Sequence, residues 1–225
     1  VDHGEVDQLV TELSRRRFDL AVVFTSFHQS PLPMALLARL AGIPRIAAIS
    51  TDYPGSLLDV RHQVDDDLPE PERALSLARA AGFDLPAGND GRLQVRHPLP
   101  DVTDLVPTSP YVVVHPGTSV PSRAWPAHRA AQAVDLLTAA GWAVVVTGGP
   151  DERGLTAAVR GRAGIDLGGR TTWAQLAAVL AGARAVVVGN TGPAHLAAAV
   201  GTPVVSLFAP TVPAARWAPY GVPVV

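Results

Sequence analysis

The stretch Ala185-Val186-Val187-Val188-Gly189-Asn190-Thr191-Gly192-Pro193-Ala194-His195-Leu196-Ala197-Ala198-Ala199 decides the fold of this chain. A β-branched run, a turn bounded by glycines and an alanine-rich segment follow one another without a break. Near-continuous valine, with no polar alternation, is what a strand buried on both faces requires. Asn190 or Thr191 can cap the helix that follows, and Pro193 suits its first turn. Gly192 keeps the backbone open to approach, so free N–H groups at the helix N-terminus suit an anion above the sheet. The glycines do not follow the G-x-G-x-x-G spacing, which excludes a dinucleotide fingerprint. His195, in the first helical turn, is expected to have its pKa lowered by the helix dipole and to donate to a phosphate oxygen.

The same rhythm extends in both directions. Further strands are predicted at Tyr111–Val114, Ala143–Val146, Ile165–Leu167 and Val204–Phe208, and helices over 127–140, 151–162, 172–182 and 193–200. Gly141, Gly182 and Gly201 close three of these helices in positions that favour a left-handed cap. Alternating strands and helices of this kind predict an α/β fold around parallel sheets. The first hundred residues are thinner: a helix over 5–17, a strand at Leu20–Phe24, a helix over 33–41, a strand at Arg45–Ile49 and a helix over 71–82. Two or three strands fall short of the roughly 4–6 of an ordinary open sheet, so this lobe is expected to be incomplete. Residues 84–110, rich in Pro, Gly and Asp, read as the linker. The expected division is a partial N-terminal lobe over 1–105 and a nucleotide-binding lobe over 106–225.

Composition removes several chemistries. The chain has 225 residues, 48% of them hydrophobic and 17% charged, with a formal net charge of −2. It has no cysteine, so disulfides, thiolate metal sites and cysteine nucleophiles are excluded. All 18 basic residues are arginine, which removes the Walker A lysine, the Schiff-base lysine of PLP enzymes and the kinase strand lysine. Near-neutral charge argues against nucleic acid as a partner. The one basic cluster, Arg15-Arg16-Arg17, reads as the solvated end of a helix. No apolar stretch is long enough to span a membrane. The seven histidines show no metal-ligand spacing, so no metal site is expected. Asp65-Asp66-Asp67 reads as a solvated run beside a helix, and His28 as a weak candidate for lining a cleft.

In an open parallel sheet, ligands sit beyond the carboxyl ends of the strands. After Tyr111–Val114 come His115-Pro116-Gly117-Thr118-Ser119 and then Arg123-Ala124-Trp125-Pro126. These offer two hydroxyls and a guanidinium fork suited to phosphate. After Ala143–Val146 comes Thr147-Gly148-Gly149-Pro150-Asp151-Glu152, in which Asp151 is expected to cap the helix and Glu152 can accept from ribose hydroxyls.

Taken in order, these loops, with Leu167-Gly168-Gly169-Arg170-Thr171-Thr172 and the stretch through His195, resemble glycosyltransferase family 9, whose best-known members are the ADP-heptose:lipopolysaccharide heptosyltransferases. The resemblance implies a GT-B fold with two Rossmann-like lobes and a metal-independent, inverting transferase. A sugar, heptose or related, would pass from a nucleotide-diphosphate donor to a glycan or glycolipid acceptor. The donor, ADP-linked as one option, is a substrate, and no cofactor is implied. Thr118 and Ser119 would contact the diphosphate. Arg123, which falls where the family commonly has Lys, would stabilise the leaving group. Glu152 would hold the ribose, the backbone after Leu167 would meet the base, and Asn190, Thr191, Gly192 and His195 would complete the donor site. Asn190 stands where the family usually has Asp. The family's general base lies in a Gly-Asp loop that these residues do not contain, and it is expected upstream of Val1. Acceptor contacts are expected from the N-terminal lobe, with Asp52, Tyr53 and Ser56 as candidates. The location implied is cytoplasmic, with peripheral contact at the inner membrane face. Two alternatives stay open: a sugar-nucleotide-binding protein without transferase activity, and an epimerase or hydrolase on the same scaffold.

Overall fold

The computed structural model describes residues 3–26, 29–65 and 67–225, and His28 and Asp66 lie outside them. The chain forms two compact units, residues 1–91 and 92–225. The division falls before the expected 105/106 boundary. Val102, Leu105 and Val106 pack against the core of the second unit, which draws the preceding irregular segment with them.

The first unit contains α1 (His3–Arg16), β1 (Leu20–Val23), α2 (Leu32–Leu40), β2 (Arg45–Ile49), β3 (Val60–His62) and α3 (Glu70–Ala80). Its strands form a parallel sheet in the order β1-β2-β3. Ala35 and Ala38 of α2 are fully buried against Ile46 and Ala48 of β2, so small side chains let the helix lie close to the sheet. On the other face Leu77 of α3 packs on Ala47 and Ile49. Arg15 and Arg16 end α1 exposed, both paired with Glu12 at 2.9 and 2.8 Å, as a solvated helix end requires.

The second unit contains β4 (Tyr111–His115), α4 (Ala127–Ala139), β5 (Ala143–Val146), α5 (Arg153–Val159), β6 (Ile165–Asp166), α6 (Trp173–Ala181), β7 (Ala185–Gly189), α7 (Gly192–Ala199), β8 (Val204–Leu207) and α8 (Ala214–Trp217). Five parallel strands lie in the order β6-β5-β4-β7-β8. The valine runs serve two cores at once. Val113, Val145, Val186 and Val188 meet Leu176, Val179, Leu180 and Ala194 on one face. Val114, Val144 and Val146 meet Ala130, Val134 and Val159 on the other. Each fully buried side chain of this kind contributes about 1.5–3 kcal/mol, which is why no polar residue interrupts the runs. Residues 223–225 run along β8, with Val204 N donating to Pro223 O and Ser206 N to Val225 O, and so cover that edge.

Two of the three glycine caps take the left-handed form, Gly141 at φ +88° and Gly201 at φ +82°. Gly182 does not, since its φ is −82°. It is needed for space: a Cβ there would lie 2.6 Å from Tyr111 Oη, which donates to Val179 O at 2.7 Å.

Candidate functional site

The connections β4 to β5 to β6 build the sheet in one direction, and β7 and β8 build it in the other. The switch point lies between β4 and β7, where an open α/β sheet places its ligand. Beyond the carboxyl ends of these strands is a cavity of about 390 Å³. Its walls come from all four loops: His115 to Ser119 after β4, Gly148 to Glu152 after β5, Thr171 to Trp173 after β6, and Thr191 and Pro193 after β7.

Four of the expected donor residues meet there. Thr118 and Ser119 line the cavity, and Thr118 Oγ1 accepts from Val120 N at 3.3 Å, which fixes the turn. Thr191 sits on the opposite side of the switch point, as the extended residue that precedes α7. Its hydroxyl makes no cap bond, so the first N–H groups of α7 have no side-chain cap. Glu152 is the fourth. Its Oε2 accepts from Gly149 N at 2.7 Å, so the capping role expected of Asp151 belongs to Glu152. The carboxylate folds over Gly117 and Gly148, and a Cβ on Gly117 would lie 2.6 Å from Oε2 and closer still to Oε1. Among the described residues Oε1 has no hydrogen-bond partner.

His115 lies beneath this carboxylate. Its Nδ1 is 2.9 Å from Thr147 Oγ1 and its Nε2 is 4.0 Å from Glu152 Oε2. Burial holds its pKa below the usual histidine value, and the Glu152 charge only partly offsets that.

The other four expected residues lie outside the cavity lining. Arg123 ends a one-turn 3-10 helix, Pro121–Arg123, and is exposed, its carbonyl 3.7 Å from where a Gly189 Cβ would stand. Nothing among the described residues pairs with its guanidinium. Gly192 is exposed, with open space where a Cβ would project. Asn190 is 7% exposed, and its Nδ2 is buried without a partner. Its backbone N donates to Leu207 O at 3.2 Å, so it continues the β7 ladder instead of joining the loop above. His195 is half buried in α7, and its pKa is pushed down by that burial; the expected cause was the helix dipole.

Two lining residues escaped the sequence reading. His115 was legible as a strand end but had no role until Glu152 was placed above it. Trp173 was read only as part of a helix. It follows the N-cap Thr172, whose Oγ1 accepts from Gln175 N at 3.2 Å while Gln175 Oε1 accepts from Thr172 N at 2.9 Å. Among the described residues no three His, Asp or Glu side chains converge as a metal site.

The first unit has its own cavity of about 710 Å³ at the carboxyl ends of β2 and β3. Ser50, Thr51, His62, Gln63, Arg73 and Ser76 contribute its polar groups, together with Asp65, which the sequence placed in a solvated run and which is exposed at the cavity wall. Ser76 Oγ donates to Arg73 O at 2.8 Å, which leaves His62 Nε2 as the donor in its 3.0 Å bond to that hydroxyl. Asp52, Tyr53 and Ser56 do not line this cavity. No described helix is long and apolar enough to cross a membrane.

Several solved structures share this architecture. A glycosyl transferase family 9 protein from Veillonella parvula superposes with a TM-score of 0.71 at 17% identity, covering 100% of this chain and 68% of its own. The ADP-heptose lps heptosyltransferase II of E. coli gives 0.66 at 22% identity, covering 99% and 72%. The E. coli heptosyltransferase WaaC with ADP-2-deoxy-2-fluoro heptose gives 0.67 at 22%, covering 99% and 70%. At these identities the likeness establishes the fold, the parallel-sheet α/β arrangement of GT-B heptosyltransferases. None of the curated proteins compared with this chain matches it significantly. The sequence itself matches the profile "Glycosyltransferase family 9 (heptosyltransferase)" over residues 6–225, and the chain belongs to that family.

Proposed function

We propose that the chain binds a nucleoside-diphosphate sugar along the carboxyl edge of its five-stranded sheet and serves transfer of the sugar, heptose or a relative, to a glycan or glycolipid acceptor. The reading is of an inverting, metal-independent reaction. The observation that carries it is the cavity in which Thr118, Ser119 and Thr191 meet across the switch point while Glu152 keeps Oε1 without a protein partner. In such a transfer the acceptor oxygen bonds to the anomeric carbon as the bond from that carbon to the diphosphate oxygen breaks. The electron pair leaves with the diphosphate. Fixed donors aimed at that growing charge lower the barrier without reorganising. The Thr118 and Ser119 hydroxyls, the first N–H groups of α7 and the exposed Arg123 guanidinium are assigned that role. His195, whose pKa burial pushes below the ordinary histidine value, offers one N–H. The base that takes the acceptor's proton is assigned to none of these residues. The acceptor side is assigned to the cavity of the first unit, and the reaction to the cytoplasm, with a glycolipid acceptor drawing the protein to the inner membrane face.

Calorimetric titration of the full chain with ADP-, UDP-, GDP- and TDP-sugars tests this. Binding of at least one is expected, weakened about tenfold by Arg123→Ala, because a partly solvated guanidinium–phosphate pair is worth a little over 1 kcal/mol. No binding of any of the four, or unchanged affinity in Arg123→Ala, overturns the site assignment. One observation favours a second reading, sugar-nucleotide binding without transfer: Asn190 is neutral, buried and outside the cavity lining. Binding of a donor with no turnover on any acceptor would establish that reading.

A further inference from the structure

We infer that Trp173 is the stacking platform for the donor's nucleobase, and so sets the direction in which the nucleotide lies across the sheet. This rests on the nucleotide-site reading above and adds to it a residue that the strand-end loops alone did not identify. The order of groups along the sheet edge carries it. The hydroxyls and the α7 N-terminus flank the gap between β4 and β7, Glu152 follows β5, and Trp173 follows β6. With the strand order β6-β5-β4-β7, the cavity lining carries an indole, a carboxylate and anion donors in that sequence. Strands lie about 4.8 Å apart, so the three intervals from β6 to β7 span roughly 14 Å. A nucleoside diphosphate presents a π-face, a vicinal diol and an anion in the same order over a comparable length. The reverse orientation would set the diphosphate against an indole and the base among hydroxyls.

Trp173 itself is suited to the role. It lines the cavity, yet the residue is left 71% exposed, while its neighbour Leu176 is buried. The reciprocal bonds between Thr172 and Gln175 fix the helix start and with it the backbone that carries the indole. Thr172 Oγ1 is committed to that cap. Trp173, Leu176 and Pro150 supply the apolar part of the lining on this side, beside the hydroxyl of Thr171. Stacking is available to every base, and purines offer the larger face.

The test compares ADP, GDP and UDP with inorganic pyrophosphate on the full chain, as wild type, Trp173→Ala and Trp173→Phe. Trp173→Ala is expected to weaken the tightest-bound nucleotide by about ten- to a hundredfold, with pyrophosphate affinity unchanged. Trp173→Phe should restore most of the loss, because a phenyl ring still stacks. Equal nucleotide affinity in wild type and Trp173→Ala, or equal losses for nucleotide and pyrophosphate, overturns the stack while leaving the nucleotide site standing. A wild-type chain that binds none of the three nucleotides overturns the site, and the stack with it. Tryptophan fluorescence gives a second readout: nucleotide should quench the wild type more than Trp173→Phe, which keeps the other three tryptophans, and equal quenching in the two counts against the stack.

Discussion

Gly117→Ala is expected to act on donor binding entirely through Glu152. A methyl group at Gly117 would stand 2.6 Å from Glu152 Oε2 and closer to Oε1 and Cδ, well inside the roughly 3.5 Å of ordinary contact. The obstacle is the end of a flexible side chain, so the fold survives and the carboxylate retreats by roughly 1 Å or more. That breaks the 2.7 Å bond from Gly149 N, at a cost of about 1 kcal/mol for a partly exposed cap bond. It also withdraws Oε1 from the cavity. If Oε1 accepts from the ribose, that loses about 1.5–3 kcal/mol of binding, or about ten- to a hundredfold in affinity. Calorimetry with ADP on wild type, Gly117→Ala, Glu152→Ala and the double variant measures the coupling. Each single variant should bind ADP more weakly by a similar factor, and the double variant no more weakly than Glu152→Ala alone. Pyrophosphate, which has no ribose, should bind all four alike. Additive losses, or a Gly117→Ala protein that binds ADP as the wild type does, would refute the reasoning.

Gly192→Ala separates space for the protein from space for the ligand. Its Cβ would meet no protein atom within 4 Å, so stability should hold or rise by up to about 1 kcal/mol, while a methyl at the mouth of α7 should weaken the donor by about tenfold. Unchanged donor affinity would mean that the diphosphate does not sit on α7. Stability should also depend on pH through His115 and His195, whose pKa values burial lowers from the ordinary 6.5. The unfolded chain then binds more protons than the folded one below about pH 6.5. Stability is therefore full above that pH and falls as the pH drops through the lowered folded values. Urea midpoints at pH 8 and pH 5 should differ less in His115→Gln, where a neutral amide faces Thr147 and Glu152, and an unchanged difference would rule His115 out as a source.

What could be read from the sequence follows from where the information is stored. The valine strands of the second unit were legible because both faces are buried, and burial on both faces leaves no other composition open. β3 was not, since Val60-Arg61-His62 has no apolar run. Its position rests on polar contacts between distant residues: Arg61 donates to Ser50 O and Thr51 O, and Asp59 accepts from Ile46 N and pairs with Arg39. Gly182 shows the same limit at one residue. A glycine after a helix reads as a left-handed cap, but only the fold reveals that this one makes room for the Tyr111 hydroxyl.

The site divides along the same line. Thr118, Ser119, Glu152 and Thr191 could be named because each follows a strand, and strand ends are local features. Trp173 and His115 could not be given roles, because those depend on the strand order β6-β5-β4-β7, which no local pattern encodes. Glu152 joins the two kinds of information. The sequence divided helix capping and ribose binding between Asp151 and Glu152. The fold gives Glu152 the cap through Oε2 and leaves Oε1 to the cavity, so one carboxylate stabilises the turn and faces the ligand. A ligand that accepts this geometry finds the carboxylate already oriented, with little further ordering to do on binding. The consequence is that stability and affinity cannot vary independently at this position. Substitutions at Glu152 lower both, whereas those at Trp173 and Gly192, where the protein has no side-chain bond to lose, lower affinity without lowering stability.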